Sequence, residues 1–158
     1  MGHVARLRVE NFRNYRSAEI VLPPGATLFV GRNGAGKTNV LEAVHYLSFL
    51  RSFRTSRIAD LRHWESRWFE VEASLSFPHN PLLNDLLRAR YGNQRFLERG
   101  NSPVRNASSF IGAFCCIPFL PGDIDLVEGS PDNRRRFIDM LLCQVDDEYK
   151  NTLVRYKT

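Results

Sequence analysis

Gly31-Arg32-Asn33-Gly34-Ala35-Gly36-Lys37-Thr38 has the G-x-x-x-x-G-K-[ST] spacing of a phosphate-binding P-loop. The spacing has a mechanical reason. Glycines admit backbone conformations closed to other residues, so successive N–H groups can turn inward around an anion. Lys37 then places a positive charge beside the β- and γ-phosphates, and the Thr38 hydroxyl is placed to ligate Mg²⁺. The N-terminus of a following helix adds a field that favours anions.

The flanks have the required order. Ala26-Thr27-Leu28-Phe29-Val30 is a short β-rich apolar run, which predicts a buried strand leading into the loop. Beyond it, Val40, Leu41, Val44, Leu47 and Leu50 step by three and four, which predicts one apolar face of a helix.

At 158 residues, 43% hydrophobic and 25% charged, the chain has the composition of a soluble globular protein of about one domain. No apolar run approaches the roughly 20 residues that span a bilayer. Arg6 and Arg8 interrupt any signal-peptide core, so cytoplasmic residence is the expectation. Cys115, Cys116 and Cys143 lack metal-ligand spacing and predict reduced, buried thiols. The formal charge is +5, and its positive side is almost all arginine, since the only lysines are Lys37, Lys150 and Lys157. Arginine suits phosphate oxygens, which it meets bidentately. Arg51, Arg54 and Arg57 fall three apart just after the P-loop helix, and Arg134-Arg135-Arg136 form a later block. A solvated loop and a phosphate- or DNA-facing loop are both open to the first cluster.

In chain order, Val4 to Val9 alternates as a half-buried strand, and Asn11 to Tyr15 is a polar turn with two aromatic anchors. Ile20-Val21-Leu22 is a second strand, closed by Pro23-Pro24-Gly25. Phe69, Val71, Ala73, Leu75 and Phe77 oppose Glu70, Glu72, Ser74 and Ser76, the cleanest period-two pattern in the chain, ended by Pro78 and Pro81. Leu82, Leu83, Leu86 and Leu87 suggest a short helix stopped at Gly92. Residues 94–104 suggest a hairpin turning at Gly100-Asn101, and 114–120 a buried strand. Ser130-Pro131 is a helix start, and Phe137, Leu141, Val145, Tyr149, Leu153 and Tyr156 carry one helix face to the chain's end.

Efficient hydrolysis needs an acid at the end of an apolar strand. Asp123 is the only candidate, set off from the 114–120 run by Pro121 and Gly122. His3, His45, His63 and His79 are scattered without ligand spacing. On residues alone the chain binds a nucleoside triphosphate and lacks a catalytic acid. A small P-loop kinase and a nucleotide-dependent structural module without catalysis remain alternatives.

Several stretches together resemble the RecF family of recombinational repair ATPases, relatives of the SMC heads. They are Leu7 to Tyr15, Gly31 to Ala43, Leu47-Ser48 with Arg51-Ser52-Phe53-Arg54, and Gly129-Ser130-Pro131 with Arg134 to Asp139. The resemblance implies an α/β fold, the N-terminal lobe of an ABC/SMC-like P-loop NTPase head. That lobe would have a mixed antiparallel and parallel sheet around the P-loop helix over residues 1–125. The start of a helical second lobe would follow over 126–158. It implies ATP and Mg²⁺ as cofactors, with Gly31, Arg32, Asn33, Gly34, Ala35, Gly36, Lys37 and Thr38 on the phosphates and Thr38 on the metal. Arg13 and Asn14 would approach the nucleotide, and Arg51, Arg54 and Arg57 would face DNA. The implied setting is DNA damage and the SOS response. Its partners would be duplex DNA near single-strand gaps, a second copy in an ATP-dependent homodimer, and the RecR and RecO proteins that help load recombinase. Two departures stand out. Gly122 occupies the position of a family glutamate, and the ABC signature and Walker B acid are absent, so the chain reads as an N-terminal portion.

Overall fold

The computed structural model describes residues 2–77 and 79–156. Its frame is a six-stranded sheet. The strands are β1 (His3–Phe12), β2 (Tyr15–Val21), β3 (Phe69–Ser76), β4 (Asp85–Tyr91), β5 (Arg95–Arg99) and β6 (Ser102–Pro103). They lie in the order β2-β1-β3-β4-β5-β6, and every pairing among the described residues is antiparallel. The parallel component expected of a mixed sheet is not formed by these residues.

Alternation sets the sheet's two faces. Leu7 and Val9 of β1, Phe69, Val71, Ala73 and Leu75 of β3, Leu87 and Ala89 of β4, and Leu97 of β5 all point to one side and are buried. The opposite side carries Arg8, Glu72, Arg88 and Glu98. Continued alternation would turn Phe12 outward. The positive φ of 51° at Asn11 re-aims it, and Phe12 enters the core against Phe69, with ring centroids 5.4 Å apart.

Helix α1 (Lys37–Phe49) covers the apolar face. It is buried on more sides than its apolar spacing suggests: Val40, Ala43 and Tyr46 to Phe49 are inside, together with Glu42 and His45, while Leu41 faces out. The chain ends in four helices: α2 (Ala107–Phe110), α3 (Asp125–Glu128), α4 (Pro131–Val145) and α5 (Asp147–Tyr156). Pro131 opens α4 as expected, with Ser130 at the cap position. No helix among the described residues is long and apolar enough to cross a membrane.

Five expectations need correction. Residues 26–30 form no strand; Leu28 is 85% exposed, because nothing among the described residues pairs with this segment. Residues 85–91 are strand β4, with only a 3₁₀ turn at Pro81–Leu83 before it. The leucine spacing hid the alternation of Leu87, Ala89 and Tyr91 against Arg88 and Arg90. Residues 114–120 are irregular, and Phe119 is 94% exposed, since no strand among the described residues accepts them. The C-terminal helix is two helices: the α4 ladder ends at Asp146, whose carboxylate accepts from the Tyr149 N–H (2.9 Å) and restarts the chain as α5. The cysteines are free as expected, but Cys115 is exposed. The Gly100-Asn101 hairpin stands, with positive φ at both residues. Pro78, read as a strand terminator, lies outside the described residues, as do Lys157 and Thr158, the end of the chain to which the helix was expected to run.

Candidate nucleotide site

The P-loop turns from the extended 26–30 segment into the first turn of α1. Gly34 has φ 82° and Gly36 has φ 102°, conformations that side chains strongly disfavour. At Gly36 there is also no room. A Cβ there would stand 2.6 Å from the Tyr15 hydroxyl and 2.9 Å from Asn14 Oδ1. The hairpin turn between β1 and β2 is therefore seated directly on the loop. Asn14 Nδ2 donates to the Gly34 carbonyl (3.3 Å), and Asn39 Nδ2 donates to Asn14 Oδ1 (2.7 Å).

Lys37 curls back over the loop it ends, its Nζ donating to the carbonyls of Gly31 (2.7 Å) and Arg32 (2.9 Å). Thr38 is exposed in the first helical turn. The N–H groups of Lys37 and Thr38, as the first of a helix, have no intrahelical acceptor. A loop bent at two left-handed glycines, orphan N–H donors, a lysine at the mouth and an open hydroxyl form a donor set that fits a polyphosphate and a hard cation. The residues present thus suit ATP and Mg²⁺.

Beneath the loop lies a carboxylate that sequence reasoning treated only as part of a motif. Glu42 is fully buried in α1. It accepts both arms of Arg13 (Nε 2.9 Å, Nη2 2.6 Å), the Ser52 hydroxyl (2.5 Å) and a longer contact from Arg54 (3.5 Å). Arg13 also donates to the Asp60 carbonyl (2.9 Å). Its φ of 55° and the bond from its N–H to the Leu61 carbonyl (2.7 Å) fix this conformation. Of the two nucleotide candidates in this turn, Asn14 meets the loop and Arg13 meets Glu42.

The arginine loop is split. Arg54 turns inward, donating to Asn39 Oδ1 (2.8 Å) one residue after Thr38. Arg57 stands 3.8 Å from Asp60. Arg51 is exposed, while its carbonyl meets the ring of His45 at 3.0 Å. Burial holds His45 below the usual histidine range. In the later block, Arg134 donates to the Gly129 carbonyl (3.1 Å) and Arg135 pairs with Asp132 (3.4 Å). Asp123 lies in its own turn, its Oδ2 accepting from the Leu120 N–H at 2.7 Å.

The comparisons agree with one another. The RecF/RecN/SMC N terminal domain family matches residues 3–82. DNA replication and repair protein RecF of Halalkalibacterium halodurans is 34% identical over 98% of the chain, which covers 41% of that relative. The RecF protein of Chlamydia trachomatis is 38% identical over 97% of the chain, again covering 41% of its length. The chain spans about two fifths of the curated relatives it matches. Among solved structures, the recombination mediator protein RecF-ATP of the RecFOR pathway superposes with a TM-score of 0.90 at 25% identity, over 99% of this chain and 42% of that one. A structure concerned with ATP-driven dimerization and DNA-stimulated activation of SMC ATPases matches in fold, with a TM-score of 0.67 at 23% identity, over 87% of this chain and 98% of that one.

Proposed function

Because the chain belongs to the RecF/RecN/SMC N terminal domain family, we propose that it is the nucleotide-binding part of an ATP-dependent DNA replication and repair protein. One observation carries this: the P-loop stands fully formed, with Lys37 on the Gly31 and Arg32 carbonyls and Tyr15 packed where any side chain at Gly36 would be. Residues Gly31 to Thr38 hold the phosphates, Thr38 takes Mg²⁺, and Asn14 keeps the loop's shape from the hairpin side. The metal, when bound, neutralises charge on the phosphates. Lys37→Met is expected to abolish most Mg-ATP affinity in calorimetry, and unchanged binding would reject the assignment.

The proposed setting is the cytoplasm, in DNA damage repair and the SOS response. The proposed partners are duplex DNA near gaps, a second copy in an ATP-dependent homodimer, and the RecR and RecO proteins. Support for DNA comes from the arginine loop. Arg51 is the member with neither an ion pair nor a side-chain hydrogen bond among the described residues. Counterion release makes log K fall by about 0.9 per phosphate neutralised on duplex DNA. Arg51→Ala should flatten the salt slope by about that amount, and Arg54 and Arg57 add to it to the extent that DNA draws them from Asn39 and Asp60.

A second proposal is a nucleotide-binding structural module that does not hydrolyse. It is favoured by the Asp123 carboxylate, whose Oδ2 caps its own turn by accepting from the Leu120 N–H. An enzyme-like ATPase rate lost in Asp123→Asn would reject it.

A further inference from the structure

Glu42 holds no phosphate and no metal, yet it is fully buried in the second turn of α1, just past Thr38. Charge alone makes this a poor place for it. A carboxylate beneath an anion site repels the ligand, and taking it out of water is costly unless partners repay the loss.

Its partners show what it holds. Both arms of Arg13 reach it from the turn between β1 and β2, Nε at 2.9 Å and Nη2 at 2.6 Å. From the loop after α1, the Ser52 hydroxyl donates to it at 2.5 Å, and Arg54 makes a longer contact at 3.5 Å. The same hydroxyl accepts from the N–H groups of Arg54 (2.9 Å) and Thr55 (3.1 Å), so it shapes that loop. One carboxylate thus ties two separate segments to α1, with an arginine from each.

The two segments meet again on the far side. Arg54 Nη1 donates to Asn39 Oδ1 (2.8 Å), and Asn39 Nδ2 donates to Asn14 Oδ1 (2.7 Å). Asn14 is the chain neighbour of Arg13. The contacts therefore close a ring: Glu42, Arg13, Asn14, Asn39, Arg54 and back to Glu42. Its spoke into the phosphate loop is the bond from Asn14 Nδ2 to the Gly34 carbonyl (3.3 Å). Arg13 keeps a φ of 55°, a conformation that non-glycine residues hold only where their surroundings over-determine it.

We propose that Glu42 is a positioning residue of the nucleotide site, the keystone of a ring that shapes the phosphate loop before any nucleotide arrives. The inference rests on the P-loop reading given above. Glu42 holds Arg13 in its left-handed turn, which sets Asn14 on the loop. It also holds Arg54, which keeps Asn39 turned toward Asn14. A loop ordered in advance loses no affinity to its own ordering when the ligand binds.

The sign of one substitution separates this role from a purely electrostatic one. Glu42→Gln keeps the side chain's shape and removes its charge. By charge alone, Mg-ATP should then bind more tightly, because a repelling carboxylate is gone. Loss of positioning should instead weaken binding about tenfold or more, the scale seen when a partner that orients a binding group is removed. Calorimetry on the full chain decides.

A double-mutant cycle with Asn39→Ala, across the ring, separates positioning from a general loosening of the fold. Independent losses multiply to within about twofold, whereas members of one network do not. The double variant should bind about fivefold or more tightly than the product of the single losses predicts. Ser52→Ala touches Glu42 and no phosphate-loop residue among its described contacts, and it takes the place of Glu42→Gln in the cycle if that variant does not fold. Lys37→Met is the reference. ATP binding unchanged in Lys37→Met would sink the P-loop reading and this inference together. Binding lost in Lys37→Met, with an affinity kept or improved in Glu42→Gln or a cycle that is additive, would overturn the positioning role alone.

Discussion

The sheet with α1 and the C-terminal helices are held by different kinds of force. In the first region, Phe69 is ringed by Phe12, Tyr46 and Tyr91, with centroids 5.1 to 5.6 Å away. In the second, the residues of α4 and α5 that are buried are Gln144 and Lys150, while Val145 and Val154 face out. Gln144 Oε1 accepts from the Ser48 hydroxyl (2.8 Å) and the Cys116 N–H (2.8 Å). Lys150 Nζ donates to the carbonyls of Ser108 (2.5 Å) and Ile111 (3.1 Å). Burial in the first region is non-directional and additive in area. In the second it depends on a few bonds of fixed geometry, each costly to leave unmade.

The largest test of this contrast removes the centre of the apolar region. Phe69→Ala should cost about 3–5 kcal/mol, the transfer loss plus the cavity, measured by denaturant unfolding. A loss under about 1 kcal/mol would mean that the aromatic cluster is not what binds α1 to the sheet.

Next comes the polar anchor. Gln144→Ala leaves the Cys116 N–H without its acceptor and Ser48 with the Phe114 carbonyl (3.1 Å) in place of its shorter bond, and should cost about 1–3 kcal/mol. The loss should appear first as faster amide exchange in α4 and α5, with β1 and β3 still protected. Uniform loss across both regions would erase the distinction.

A smaller effect of opposite sign tests the apolar region from inside. The Tyr46 hydroxyl is buried with no hydrogen-bond partner among the described residues, and burial pushes its pKa up to about 12. Tyr46→Phe should therefore stabilise the chain by about 1 kcal/mol. Destabilisation of that size would show that the hydroxyl has a partner in solution.

What was legible in the sequence follows the same division. β1, β3 and the β5–β6 hairpin could be read because alternation and turn chemistry are local signals, and the P-loop because its glycines and lysine sit at fixed spacing. β4 was misread because Leu82, Leu83, Leu86 and Leu87 mimic a helical step just where the strand begins. The runs at 26–30 and 114–120 carry strand composition, but pairing depends on a neighbour, and none of the described residues supplies one. Least legible were the polar anchors. Gln144 lies 96 residues from Ser48, and Glu42 lies 29 from Arg13, so no local pattern announces either bond. At the candidate site the loop was readable, whereas the carboxylate organising the ground beneath it was not.

The smallest expected effect concerns His45, the histidine that α1 carries into the interior beside Phe49 and Phe53. Burial lowers its pKa below the usual 6.5, outweighing the Arg51 carbonyl and the Glu42 charge, which both favour the cation. The unfolded chain therefore binds a proton that the folded chain resists. Stability from this group is complete above about pH 6.5, and falls as pH drops from there toward the lowered folded value. One proton limits the slope to about 1.4 kcal/mol per pH unit. Glu70 acts in the opposite sense at lower pH: its raised pKa means that the folded chain takes up its proton first. The two are separable by window and by variant. His45→Gln should flatten the fall of the denaturation midpoint as pH drops below about 6.5, and leave the opposite contribution of Glu70 at lower pH in place. A midpoint that still falls with acid in that window would assign the pH dependence to other groups, and His45 would then be protonated as easily in the fold as out of it.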